Sequence, residues 1–211
     1  MPLRFRDRLI EHLERSGVPP PEDEAIDKLE TYFELLSRWN AAINLTALPL
    51  DNPTAETFDR LFTEPLAAAR YFPADAKRWF DLGSGGGSPA IPLKVSVGAV
   101  HVTLVESRER KAAFLREVVR TLEISAEVLN RRFEDLDALE ESHGQIDVMT
   151  VRAVRPDATM FSAAARLLVP TGRLWIFQSH PQSMDAGGFK LRETVALVES
   201  GRSFLSTYSA T

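Results

Sequence analysis

Apolar side chains recur every three or four positions along the first forty residues. Leu3, Leu9, Ile10 and Leu13 lie among charges in residues 1–15, the pattern of a short amphipathic helix that stops at Ser16-Gly17 and the proline run 19–21. Acidic Glu22, Asp23 and Glu24 then open a second helix. Its positions Ile26, Leu29, Phe33, Leu36 and Trp39 share one face, which must pack on another part of the protein. From Asn40 the period lapses. Proline, Asn and Asp punctuate NLTALPLDNPTAETFDRL, and a further helical segment is expected over about 55–71.

From residue 78 short apolar runs alternate with helical ones. The runs are WFDL (79–82), HVTLVE (101–106), AEVLN (126–130), IDVMTV (146–151) and RLWIF (173–177). This alternation predicts an α/β fold, a mainly parallel sheet with crossover helices. The helix at 108–122 puts Phe114, Leu115, Val118, Val119 and Leu122 on one face. The tail 194–210 alternates on either side of Ser200-Gly201, the pattern of an antiparallel hairpin closing the sheet. The expected organisation is a helical extension, 1–75, packed on a Rossmann-like domain, 76–211, as one structural unit.

Composition narrows the chemistry. The chain has 211 residues, enough for one α/β domain plus the extension. Its apolar stretches are too short to span a bilayer, and the opening segment has acids where a signal peptide would be apolar. A cytoplasmic protein without membrane contact is expected. The absence of cysteine excludes disulfides, thiolate metal sites and cysteine nucleophiles, and no metal site is expected. A net charge of −5 means that a nucleic-acid partner would have to be met by a local patch. Arg108, Arg110, Lys111, Arg116, Arg120, Arg131 and Arg132 form one candidate, although a solvated helix face balanced by Glu109 and Glu117 accounts for the same residues. His12, His101, His143 and His180 are scattered and read as structural or solvent-facing.

Candidate chemistry centres on DLGSGGGS (81–88). A strand running into Gly83, Gly85, Gly86 and Gly87 lets backbone approach a ligand closely. The same composition serves a linker or a plain turn. Context favours a nucleoside: a second strand ends in Glu106, from which a carboxylate can accept both ribose hydroxyls, although a solvated strand-end acid would look alike. A phosphate-binding P-loop needs Gly-Lys-Ser/Thr where the chain has Ser88-Pro89-Ala90. The dinucleotide fingerprint wants Gly or Ala where Ser88 stands. Asp81 at the strand tip would repel a pyrophosphate but can face the ammonium of a methionine moiety. The spacing Asp81-x-Gly83-x-Gly85-x-Gly87 therefore fits S-adenosylmethionine and a class I methyltransferase.

Taken together, LLSRWNAAINLTAL (35–48), DLGSGGGSPAIPL (81–93), VTLVESRERKAAFLREVVRTL (102–122), RRFEDL (131–136) and DVMTVRAV (147–154) resemble the glucose-inhibited division protein B family. Members of that family are 16S ribosomal RNA guanine-N7 methyltransferases. The resemblance implies cofactor contacts at Gly83, Ser88, Phe133, Glu134 and Arg152, with 16S ribosomal RNA or the small ribosomal subunit as partner and a monomeric enzyme. Phe133 can lie beside adenine or simply fill the core. Trp39, Asn40, Asn44 and Thr46 are expected to shape a loop over the pocket, although Trp39 also fits a helix-packing role. Guanine N7 has a free lone pair and no proton to lose, so transfer needs alignment and no general base.

The chain also departs from the family pattern. Family members carry Arg-His-x-x-Asp-Ser-Leu where this chain has Arg60-Leu61-Phe62-Thr63-Glu64-Pro65-Leu66. A larger apolar residue stands at the place of Ser88, so looser packing around the cofactor is expected. Gln178-Ser179-His180 replaces a lysine-glycine pair. A small-molecule methyltransferase and a non-catalytic cofactor- or RNA-binding relative are the alternative readings.

Overall fold

A computed structural model describes residues 4–138, 142–153, 156–180, 187–198 and 203–211. Helix α1 (Phe5–Arg15) buries Leu9 and Leu13. Gly17 turns the chain at φ 68°, and the Val18 amide closes the helix end on the Leu13 carbonyl at 2.9 Å. Helix α2 (Asp23–Asn40) buries Ile26, Leu29, Tyr32, Leu35 and Leu36. Leu29, Tyr32, Leu35 and Leu36 join Leu9, Leu13, Val102, Leu104, Phe114 and Leu115 in one continuous core, so the leading helices share the apolar layer on one face of the sheet.

The expected helix over 55–71 is interrupted. It divides into α3 (Ala55–Phe58), a π-turn (Asp59–Thr63) and α4 (Glu64–Ala69). Pro65 supplies the reason: it has no amide hydrogen for the Leu61 carbonyl, and its ring would strike that carbonyl in a regular α-helix. The backbone widens instead, and the Glu64 amide reaches back five residues to Asp59.

Seven strands follow: β1 (Arg78–Leu82), β2 (His101–Val105), β3 (Ala126–Leu129), β4 (Ile146–Arg152), β5 (Leu168–Gln178), β6 (Phe189–Ala196) and β7 (Phe204–Ala210). Their order is β3-β2-β1-β4-β5-β7-β6. β1 to β5 run parallel, and β7 is antiparallel to both β5 and β6. The expected terminal hairpin thus forms, with Val195 opposite Leu205. Ser200-Gly201 lies outside the described residues. Helices α5 (Ala90–Val97), α6 (Glu109–Leu122) and α7 (Ala158–Leu167) cover the sheet. Burial on both faces explains why β1 and β2 read as nearly unbroken apolar runs. Winding diverges at β1, whose neighbours are β2 and β4, and such a divergence opens a crevice beyond the carboxyl ends of the strands.

Candidate functional site

The glycine loop leaves β1 directly into that crevice, and Glu106 at the end of β2 holds it there. One Glu106 carboxylate oxygen accepts the Gly85 amide at 2.9 Å and the other accepts the Arg108 amide at 2.7 Å. Each oxygen keeps lone-pair capacity for a further donor, such as a ribose hydroxyl. The Asn130 side chain donates to the Glu106 carbonyl at 2.8 Å and ties the end of β3 to the same corner. Beside Glu106 opens a cavity of about 500 Å³ whose walls include Gly83, Arg108, Arg131, Arg132 and Phe133. A half-buried aromatic ring, a loop without side chains and an acid at the strand tip fit an adenosine. The side chain of Glu134 lies outside the described residues.

Not every glycine serves a ligand. A β-carbon on Gly87 would come within 2.9 Å of Ile91 and 3.3 Å of the Tyr32 ring, and one on Gly86 within 3.2 Å of the Leu45 carbonyl. The Tyr32 hydroxyl donates to the Gly86 carbonyl at 2.7 Å. These two glycines therefore admit α2 and the loop after it.

Asp81 is buried beneath the loop, paired in register with Thr150 of β4. The Thr150 hydroxyl donates to the Asp81 carboxylate and accepts the Trp79 indole N–H at 2.8 Å. Burial pushes the Asp81 carboxyl up to about 6, against the pull of the Thr150 hydrogen bond. A cation arriving at Asp81 would favour its ionised form.

On the other side of the loop a buried polar cluster joins three segments. Arg152, at the end of β4, donates to the Arg60 carbonyl at 2.7 Å and the Ser88 hydroxyl at 3.1 Å, and pairs with Glu64. Its guanidinium lies 4.8 Å from the centre of the Phe177 ring. Burial pulls the Arg152 pKa down, and Glu64 opposes that shift. The Ser88 hydroxyl donates to the Arg60 carbonyl at 2.9 Å. Pro65 stands five residues beyond Arg60 and cannot donate within the π-turn, so Ser88 and Arg152 satisfy a carbonyl that the helix leaves open. The Ser88 hydroxyl is used in this cluster, and Ser88 also lines the neighbouring cavity. Arg152, expected at the cofactor, has its charge engaged by Glu64 while lining the neighbouring cavity of about 570 Å³.

The structure thus brings Asp81, Gly83, Gly85, Glu106 and Phe133 to one crevice, and sets Ser88 and Arg152 on its far side. Arg108, Arg131 and Arg132 are exposed at the mouth of the cavity beside Glu106. Arg110, Lys111 and Arg116 lie along α6, with Lys111 half-buried. Glu117, a candidate to balance them, is instead engaged by Arg38 at 2.6 Å and the Trp39 indole at 3.1 Å. Thr150 and Tyr32 escaped the sequence reading, and Glu64 entered it only as a departure from the family pattern. A lone threonine inside an apolar strand was the only signal for Thr150.

Three comparisons bear on this arrangement. The profile of the family described as rRNA small subunit methyltransferase G matches residues 25–199. The ribosomal RNA small subunit methyltransferase G of Paracoccus denitrificans is 35% identical over 157 residues, covering 72% of this chain and 75% of that protein. Its namesake in Stenotrophomonas maltophilia is 37% identical over 177 residues, covering 81% and 78%. Among solved structures, a SAM-dependent methyltransferase from Aquifex aeolicus aligns with a TM-score of 0.53 at 17% identity, over 70% of this chain and 89% of that one, a likeness of fold. With a profile match that runs from within α2 past β6, and relatives alike over most of both lengths, the chain belongs to the rRNA small subunit methyltransferase G family.

Proposed function

We propose that this chain is an S-adenosylmethionine-dependent methyltransferase that modifies N7 of a guanine in 16S ribosomal RNA, acting in the cytoplasm as a monomer. The observation that carries the reading is the pair of acids, Asp81 and Glu106, flanking a glycine loop at the point where strand order diverges, in a chain of this family. Glu106 and Phe133 would hold the nucleoside, and Asp81 the amino-acid end. S-adenosylmethionine bound there supplies a methyl group activated by a sulfonium. The acceptor N7 lone pair forms the new N–CH₃ bond as the S–CH₃ bond breaks, and the positive charge passes to the purine. No proton leaves in that step, so the chain's residues align the partners and stabilise the moving charge. Arg108, Arg131 and Arg132, with Arg110, Lys111 and Arg116 along α6, provide contacts for RNA phosphates.

Methyl-labelled donor, incubated with the protein and small-subunit particles lacking the modification, tests the proposal. Label is expected in 7-methylguanosine after digestion of the RNA. Calorimetry should show binding of S-adenosylmethionine and a much weaker response to NAD. Label confined to a small acceptor, no transfer at all, or a preference for NAD would refute it.

A further inference from the structure

The cavity on the acceptor side of the loop has a distinct chemistry. Gly86, Ser88, Arg60 and Arg152 contribute to its lining, Leu45, Leu48 and Pro49 form an apolar wall, and Glu56 belongs to the same lining. Glu56 belongs to α3, whose first turn is fixed by a capping box between Thr54 and Thr57. The Thr57 hydroxyl also donates to the Pro49 carbonyl at 3.2 Å, joining α3 to the apolar wall. Nearby acids are engaged: Asp59 with His12 at 2.8 Å, and Glu64 with Arg152. The Glu56 carboxylate has no hydrogen bond or ion pair among the described residues, and none with Arg60 one turn further on.

We propose that this cavity receives the acceptor guanine and that the Glu56 carboxylate reads its Watson–Crick edge. The inference rests on the RNA methyltransferase reading and names the residue that selects the base. Guanine presents N1–H and the N2 amino group side by side, two donors that match the two oxygens of a carboxylate. Adenine presents an acceptor at N1, which a carboxylate repels. The flat faces of the base meet Leu45, Leu48 and Pro49, and N7, on the opposite edge from the N1–N2 pair, turns toward Gly86 and Ser88. Alkylation at N7 places positive charge on the purine and makes N1–H a stronger donor. A carboxylate on that edge therefore binds the transition state more tightly than the ground state. The proton stays on N1 throughout, and Glu56 only accepts hydrogen bonds.

Glu56→Gln tests this, since the side chain is exposed and its shape is retained. Guanosine, inosine and adenosine 5′-monophosphates are titrated into the S-adenosylhomocysteine complex and followed by NMR. Wild type is expected to prefer guanosine, then inosine, which lacks the N2 amino group, then adenosine. The variant should lose the guanosine preference by about 10- to 100-fold while keeping its affinity for S-adenosylhomocysteine. Its kcat on small-subunit particles should fall as well. Equal responses of wild type to the three nucleotides, or a variant with unchanged kcat/KM on particles that wild type methylates, overturns the role of Glu56. Particles left unlabelled by wild type refute the RNA reading itself, a separate outcome.

Discussion

Replacing Asp81 by asparagine should stabilise the ligand-free protein at neutral pH and impair its binding of the methyl donor. Burial lifts the Asp81 carboxyl from 3.8 to about 6 in the folded chain. Between roughly pH 4 and 6 the folded protein therefore holds a proton that the unfolded chain has released. Stability falls as pH rises through this window and levels off above it. Each unit is worth about 1.4 kcal/mol, so the full cost is roughly 3 kcal/mol, with little solvent screening for a group only 1% exposed. Asparagine carries no such cost, and its amide oxygen can still accept the Thr150 hydroxyl. Urea unfolding from pH 4 to 8 should show two curves that meet near pH 4 and separate by up to about 3 kcal/mol at pH 7. A bound ammonium reverses the preference. Donor affinity in wild type should fall about tenfold per pH unit below 6, and in Asp81→Asn should be weak throughout. Parallel stability curves, or a variant no more stable than wild type at pH 7, would refute the argument.

Further tests address the polar cluster, the loop and the basic patch. Glu64→Gln leaves the buried Arg152 without its counter-charge, and denaturant unfolding should record a loss of about 3–5 kcal/mol. Ser88→Ala removes one of two donors to the Arg60 carbonyl, at a cost of about 1 kcal/mol; in a Pro65→Ala background, where an amide hydrogen is restored, a double-mutant cycle should show a smaller cost. Gly87→Ala forces a side chain onto φ +90° and into Ile91, so a loss of about 2 kcal/mol or more is expected by thermal unfolding. Changing Arg108, Arg131 or Arg132 to Ala should lower the salt dependence of RNA binding by about one per residue, read from log–log plots of affinity against salt.

The sheet, and the glycine loop with its acid, were legible because their signals are local. A buried parallel strand is a continuous apolar run, and the acid that serves the glycine loop sits at the end of the next strand. Features assembled from distant segments were not. Pro65 was plain in the sequence, yet its consequence depends on Ser88 and Arg152, which meet the Arg60 carbonyl only after folding. Thr150 becomes the partner of Asp81 through the β1–β4 register, which no local pattern encodes. Gly86 and Gly87 were visible as glycines, but what they make room for belongs to α2 and the segment after it.

That last contact constrains how such a loop can change. Gly86 and Gly87 face Leu45 and Tyr32 on one side while Gly83 lines the cavity beside Glu106 on the other. A loop transplanted from another methyltransferase would have to suit both surfaces, and a bulkier residue accepted by the donor would be rejected by the helix. Helix α2, the segment after it and the loop are therefore coupled by packing, and chimeras should function only when the exchanged piece carries Tyr32 and Leu45 along with the glycines.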